Sequence, residues 1–348
     1  MSEGSASGLV CRICGNHSGN RLHQAREMFL GTRDCFAYIE CAACGTLQIQ
    51  QVPDLKPYYP RNYYSFLPAS QTREGSPKTA RWLVTGRLGS FLRRRAADYY
   101  CRRQRAANYR DLMGHLVAEN MDRLLVGFPE YLKNTGLDLS LNRGSKILDV
   151  GSGAGETLLN LSAFGFTHLL GVDTFLESDI SYGDGVRVLR AEIPELDQPF
   201  DLIIASHSLE HVPEPRKTLE QIHRLLPKGQ YAIIRMPVLA FAWETYGIDW
   251  VQLDAPRHLF LFTCESFSSL AEEAGFAIAE VVFDSTAFQF WASEQYRRDI
   301  PLMNERSYFV NPNRSIFSAD QIDDFSRQAA GLNQRREGDQ AVFYLRRK

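Results

Sequence analysis

Four cysteines and two aspartates are the residues of this chain whose types and spacing could do chemistry. Cys11 and Cys14 stand in "VCRICGNHSGN", and Cys41 and Cys44 in "YIECAACGTLQIQ". Each second cysteine is followed by glycine, Gly15 and Gly45. Two thiolates on one tight turn, with backbone N–H groups turned toward sulfur, form half of a tetrahedral metal site. Glycine supplies the positive φ that such a turn often requires. Two turns give four sulfurs and no open position, so the expected ion is a structural Zn2+. The 26 residues between the pairs leave room for a hairpin, and "CFAYIE" alternates as a ribbon strand does. One C-x-x-C alone reads as a redox dithiol, and four unrelated thiols are the bland alternative.

The two aspartates flank a glycine loop. "KILDVGSGAGE", Lys146 to Glu156, reads as strand, tight loop and helix start. Asp149 sits near the strand's end. Gly151, Ser152, Gly153 and Gly155 let a ligand approach the backbone, and the helix behind offers free N–H groups. Dinucleotide sites prefer G-x-G-x-x-G. Here the spacing is G-x-G-x-G and Glu156 follows, an anion that would repel a pyrophosphate. A ligand with a cationic amino-acid end tolerates acidic neighbours better, which favours S-adenosylmethionine over NAD. "HLLGVD" ends at Asp173, 18 residues after Gly155, where a carboxylate can accept hydrogen bonds from two ribose hydroxyls. "VRVLRAEIPEL" reads as a third strand, ending near Ala191 and Glu192 where an adenine edge would lie. "FDLIIASHSLEHVPEP" supplies a fourth, which brings Ser206 and His207 to the ligand.

Taken in succession, "ILDVGSGAGE", "GVD" and "FDLIIASHSLEHVPEP" with "LPKGQYAIIRMP" resemble the motifs of class I S-adenosylmethionine-dependent methyltransferases. The cysteine pairs followed by "YYPRNYYSF" are similar to a zinc-binding domain that precedes some bacterial methyltransferases of sugars, polysaccharide precursors or secondary metabolites. The resemblance implies an α/β fold with a Rossmann-like seven-stranded sheet, parallel except for one strand, an N-terminal zinc ribbon and a helical bridge. "EVVFDS" then reads as the sixth strand and "DQAVFYLRR" as the seventh.

Methyl transfer is an in-line displacement on a sulfonium, so alignment dominates, and a hydroxyl or carbon acceptor also needs a base. The sequence offers His207, Glu210 and His211 in "SHSLEHV", and Tyr246, Asp249, Asp254 and His258 in "WETYGIDWVQLDAPRHLFLFT". His258, in a polar island before an apolar run, is the first choice for general base. A buried histidine bonded to a backbone carbonyl is the plainer reading of it. His211 and Glu210 are the further catalytic candidates, although they resemble a motif common in the superfamily and could instead shape the loop. Trp243, Tyr246 and Trp250 either wall an acceptor pocket or simply pack.

The elements that must position these groups fall into three stretches. Residues 1–68 form the zinc ribbon and linker, 69–140 a helical bridge, and 141–348 the cofactor domain with an insertion at about 287–338. The insertion's aromatics predict an ordered lid or an oligomer contact. The bridge carries eight arginines against one aspartate in "RLGSFLRRRAADYYCRRQRAANYR", a solvated helix face or a surface for an acidic polymer. Net charge is -2 for 348 residues, which argues against nucleic acid as the partner. No apolar run is long enough to span a bilayer, and "MSEGSASGLV" lacks the pattern of a signal peptide. The expectation is a cytoplasmic enzyme methylating a small-molecule, sugar or glycan acceptor on oxygen or carbon. The rivals are an RNA or protein methyltransferase and an interaction protein that binds cofactor without turnover.

Overall fold

A computed structural model describes residues 9–60, 87–101, 125–183 and 185–348. Most of the "YYPRNYYSF" linker, the bridge residues Arg102 and Arg103 and the segment up to residue 124 lie outside the described residues.

Two sheets organise the chain. The small one contains β1 (Arg21–Arg26), β2 (Cys35–Glu40) and β3 (Leu47–Ile49), all antiparallel, so "CFAYIE" is a ribbon strand as expected. The large one is built from β4 (Lys146–Val150), β5 (His168–Val172), β6 (Ile180–Gly183), β7 (Val186–Leu189), β8 (Leu202–Ser206), β9 (Tyr231–Pro237), β11 (Phe276–Phe283) and β12 (Gln340–Arg347). Its order is β11-β12-β9-β8-β4-β5-β7-β6. β4, β5, β7, β8 and β9 run parallel, and β12 is inserted antiparallel between β9 and β11. This is the expected methyltransferase-type sheet. An eighth strand, β6, is added at one edge as the antiparallel partner of β7.

The central strands are buried on both faces, as parallel strands between helical layers must be. Ile147, Leu148, Leu202, Ile203 and Ile204 have no exposed surface. The covering helix Pro215–Leu225 turns Leu219, Ile222 and Leu225 inward, one apolar stripe at helical spacing. Part of the bridge is helical at Arg87–Cys101, and Ala96 and Ala97 are buried there. Its Arg93 stacks over the Phe164 ring at 4.4 Å, so this arginine is used in packing.

The two sheets are joined through a strand that local pattern did not reveal. β10 (Phe260–Leu261), from the "LFLF" run that follows β9 in the chain, pairs antiparallel with β3 as the fourth strand of the small sheet. The insertion adds further ties. Its helix Phe288–Arg297 buries Phe290, Trp291 and Tyr296. Beyond it, Leu302 and Met303 N–H groups donate to the carbonyls of Met28 and Phe29 at 2.8 and 2.9 Å, and Arg26 and Arg33 pair with Asp299. Most of the insertion's aromatics pack within the chain, while Phe309 is exposed. Trp243 and Trp250 belong to the same join. Trp250 is fully buried and donates to Asp339 Oδ2 at 2.9 Å, while Trp243 meets the edge of His23 at 5.3 Å.

At the centre of this join lies Arg257, which has no exposed surface. Its guanidinium pairs with Asp254, lies 3.5 Å from Glu27, donates to the Tyr58 carbonyl at 3.2 Å and covers the Phe29 ring at 4.2 Å. Glu27, equally buried, accepts the N–H groups of Leu30, Gly31 and Thr32 at 2.7, 2.8 and 2.9 Å. Removing one member of a buried pair leaves the other charge uncompensated. Arg257→Met should therefore lower unfolding free energy by about 3 to 5 kcal/mol, read as the urea midpoint at unchanged slope. A loss below about 1 kcal/mol would show that the join does not depend on this pair.

Candidate functional site

The cysteine turns come together as the spacing predicts. Cys11 Sγ lies 3.7 Å from Cys44 Sγ, and Cys14 Sγ 3.5 Å from Cys41 Sγ. All four sulfurs fall within 4.8 Å of one another. Sulfurs bound at about 2.3 Å around one tetrahedral ion stand roughly 3.8 Å apart, so the donor set fits without rearrangement. The N–H groups of Ala43 and Cys44 point at Cys41 Sγ, at 3.4 and 3.5 Å. Gly45 has φ +72°, and a Cβ there would meet Thr263 Cγ2 at 2.9 Å, so the knuckle needs glycine for both conformation and space.

On the large sheet, β4 and β5 deliver the two aspartates side by side. Asp149 lies one residue before the end of β4 and is 4% exposed, and Asp173 directly follows β5 and is 9% exposed. Asp173 is held over the loop: Oδ2 accepts the Gly153 N–H and Oδ1 the Phe175 N–H, both at 2.9 Å. Each oxygen keeps a second lone pair for a ligand hydroxyl. Asp149 is raised to about 7, first by burial and then by the charge of Asp173. Two adjacent buried carboxylates suit hydroxyl donors and a cationic ligand and disfavour a pyrophosphate. Gly155 caps the following helix at φ +83°, and Glu156 opens that helix. Ser152 is half-buried on the loop, Ala191 is half-buried past β7, and Glu192 is exposed and caps a short 3-10 turn.

β8 carries the chain from Ser206 into the turn Leu209–His211. That turn presses on the glycine loop, because a Cβ on Gly151 would fall 2.4 Å from Ser208 Cβ. His207 holds a left-handed φ of +52°. Its Nε2 accepts from Arg235 Nη1 at 2.7 Å, which leaves its proton on Nδ1, 3.3 Å from Glu210 Oε1. Arg235 is itself paired with Asp284 at 2.6 Å.

Glu210, His211 and His258 meet here although the last lies on a distant loop. The Leu259 N–H donates to the Glu210 carbonyl at 2.8 Å and ties the two segments together. His258 is 5% exposed, and its Nδ1 donates to the Gln252 carbonyl at 2.7 Å. His211 Nδ1 donates to the Arg257 carbonyl at 2.9 Å, with Tyr59 Oη 3.2 Å from the same nitrogen. A carbonyl only accepts, so Nδ1 of each ring carries a proton, and in the neutral imidazole Nε2 is the bare nitrogen. Burial first, and then the charge of His211, holds His258 down to about 4, so it is neutral at ordinary pH. Burial pushes the Glu210 carboxyl up, but the surrounding histidines, His207 first, outweigh it and keep it ionised.

The remaining base candidates are occupied elsewhere. Asp249 lies 3.4 Å from Arg26, and Asp254 pairs with Arg257. Sequence reading missed three contributors, Arg257, Arg235 and Phe175, and read Tyr59 only as one of the linker's aromatics. Tyr59 stacks on Phe175 at 4.9 Å and 29°, so an N-terminal aromatic reaches the residue two beyond Asp173. The dense tyrosines of the linker were the signal for Tyr59. Nothing local marks the other three.

The sheet order and the glycine loop between the paired aspartates define an α/β fold of the methyltransferase type. Residues 114–281, just under half of the chain, match a family model described as a methyltransferase domain. The protein carries an S-adenosylmethionine-dependent methyltransferase domain, as the loop and aspartates led one to expect. No curated protein matches the sequence. Among solved structures, the chain is similar to a mycolic acid cyclopropane synthase complexed with SAH, at 18% identity over 65% of this chain and 85% of that one, TM-score 0.41. It is also similar to an S-adenosylmethionine-dependent methyltransferase from Mesorhizobium loti, at 18% identity over 60% and 94%, TM-score 0.37. A third is the 1,6-didemethyltoxoflavin-N1-methyltransferase of Burkholderia thailandensis, at 21% over 40% and 63%, TM-score 0.31. These low scores leave acceptor and mechanism to the chain's own residues.

Asp149 gives a pH signature. Its folded value, about 7, lies above the ordinary 3.8, so between those values the folded chain holds a proton that the unfolded chain has released. Stability from this group is therefore lost as pH rises through that window. In Asp149→Asn the fall of melting temperature from pH about 4 to about 7 should be shallower than in the parent. An unchanged slope would show that the carboxyl ionises normally.

Proposed function

We propose that the protein transfers a methyl group from S-adenosylmethionine to a small-molecule acceptor, a sugar or glycan hydroxyl or an acidic carbon. The observation that carries the reading is the seating of the Glu210–His211 turn against the glycine loop, with Ser208 filling the space beside Gly151. This sets an acceptor-side cluster next to the cofactor-side aspartates. When bound, the cofactor supplies a methyl on a cationic sulfonium that needs only an aligned nucleophile.

Asp173 accepts the ribose hydroxyls, with its orientation fixed by the Gly153 and Phe175 N–H groups. Asp149 faces the cationic end of the ligand, where its ionised form is favoured. Gly151, Ser152, Gly153 and Gly155 form the floor, Ala191 and Glu192 flank the adenine, and Ser206 and His207 close the side toward the acceptor. His258 takes the acceptor's proton on its bare Nε2, since Nδ1 is committed to Gln252. His211 and Glu210 orient that ring, His211 through its edge contact at 4.7 Å.

The Cys11, Cys14, Cys41 and Cys44 cluster holds a structural Zn2+. Its four thiolates leave no position for substrate, so its role is to fold the first segment. A reduced thiol cluster suits the cytoplasm. The exposed charge is too balanced for a polymer-tracking role, which favours a small acceptor over RNA.

Asp173→Ala should weaken S-adenosylhomocysteine binding by about 10- to 100-fold, measured by calorimetry. His258→Ala should lower kcat about 100-fold or more with cofactor affinity retained. Loss of cofactor binding in His258→Ala would overturn the base assignment. Cys41→Ser should release Zn2+, read by elemental analysis, together with a drop in melting temperature.

A further inference from the structure

The geometry points to a second metal site: Glu210, His211 and His258 bind a divalent cation of the first transition row, on which the acceptor's oxygen can sit. The three side chains each offer one ligand atom, and these atoms lie within 4.8 Å of one another. Both imidazoles are fixed the same way. Nδ1 of each donates to a backbone carbonyl, of Gln252 for His258 and of Arg257 for His211, so both present Nε2 lone pairs. Metal-ligating histidines are oriented by this kind of contact.

Glu210 supplies the independent sign. Its side chain is 1% exposed, yet neither carboxylate oxygen has a hydrogen-bond partner among the described residues. His207 Nδ1 stands 3.3 Å from Oε1 without hydrogen-bond geometry, and His258 Nε2 stands 4.0 Å away. A buried carboxylate whose nearest donor is a misaligned His207 N–H, facing two nitrogen lone pairs, is a concentration of acceptors, and a cation satisfies all three at once. Asp254 Oδ2 is 3.8 Å from His258 Nε2 but is engaged by Arg257 Nε at 2.9 Å.

The donor set selects the ion. Two imidazoles and one carboxylate suit Zn2+, Fe2+, Co2+ or Mn2+ better than Ca2+. Ligands at about 2.1 Å from one ion stand roughly 3 to 3.5 Å apart, so the side chains would close by about 1 Å on loading. Three protein ligands leave positions open, unlike the four-cysteine cluster. Binding does not depend on the methyl-transfer reading. The ion's role as the seat of the acceptor oxygen does rest on it: there the ion would acidify the bound hydroxyl, which gives its proton to solvent, and the His258 lone pair serves the ion instead of taking that proton.

Mn2+ distinguishes the two metal sites, since thiolate clusters hold it poorly. The full-length protein, with its cysteine site loaded with Zn2+, is titrated with Mn2+ and free ion is read by electron paramagnetic resonance. The expected result is about one Mn2+ bound per chain, with affinity reduced at least tenfold in Glu210→Gln and in His211→Gln. S-adenosylhomocysteine calorimetry on the same samples checks that each variant is folded and tests the cofactor reading separately. Equal Mn2+ binding by parent and both variants, or none by the parent, overturns the site. Bound Mn2+ without any S-adenosylhomocysteine binding keeps the metal site and removes the methyl-transfer reading.

Discussion

The buried Arg257 guanidinium is the interaction on which the rest of the site depends. It draws Glu27 from the cysteine-bearing segment, Asp254 from its own loop and the Tyr58 carbonyl into one knot around a guanidinium without exposed surface. Charges removed from solvent persist only when paired and hydrogen-bonded, so this knot admits one arrangement of the loop 254–258. His258 follows Arg257 directly, and the Arg257 carbonyl receives the His211 proton. The knot thereby sets the pose of both histidines.

The cofactor half of the molecule was legible from the sequence because its determinants are local. An apolar strand, a glycine loop and an acid at the strand tip lie within a dozen residues, and the β-α alternation repeats them. The cysteine cluster was legible for a similar reason, since each knuckle is a four-residue device. What escaped was contact across long chain separations. Nothing near Glu27 announces a guanidinium more than two hundred residues away, and "LFLF" reads as a buried strand without naming the sheet it joins. His258 was found as a polar island in an apolar loop. Its carbonyl-bonded Nδ1 matches the plain reading of a buried histidine, while its open Nε2 beside Glu210 is what a working group needs.

The insertion shows how length is used. A fold that ordinarily turns directly between its last two strands here spends residues 287–338 on reaching the N-terminal segment. Leu302 and Met303 hydrogen-bond to Met28 and Phe29, and Asp299 faces Arg26 and Arg33. Together with Trp250 on Asp339, these contacts brace the loop that carries Arg257 and His258 from several directions. Rigid support of this kind is what alignment-dominated chemistry demands.

The loan of β10 to the small sheet orders events during synthesis. As the chain leaves the ribosome, the cysteine knuckles and the first three strands emerge long before residues 260–261 exist. Until then β3 presents a bare edge of unpaired amides, the kind of surface on which nascent chains stick to one another. The N-terminal module must therefore wait, half finished, for the far end of its own polypeptide.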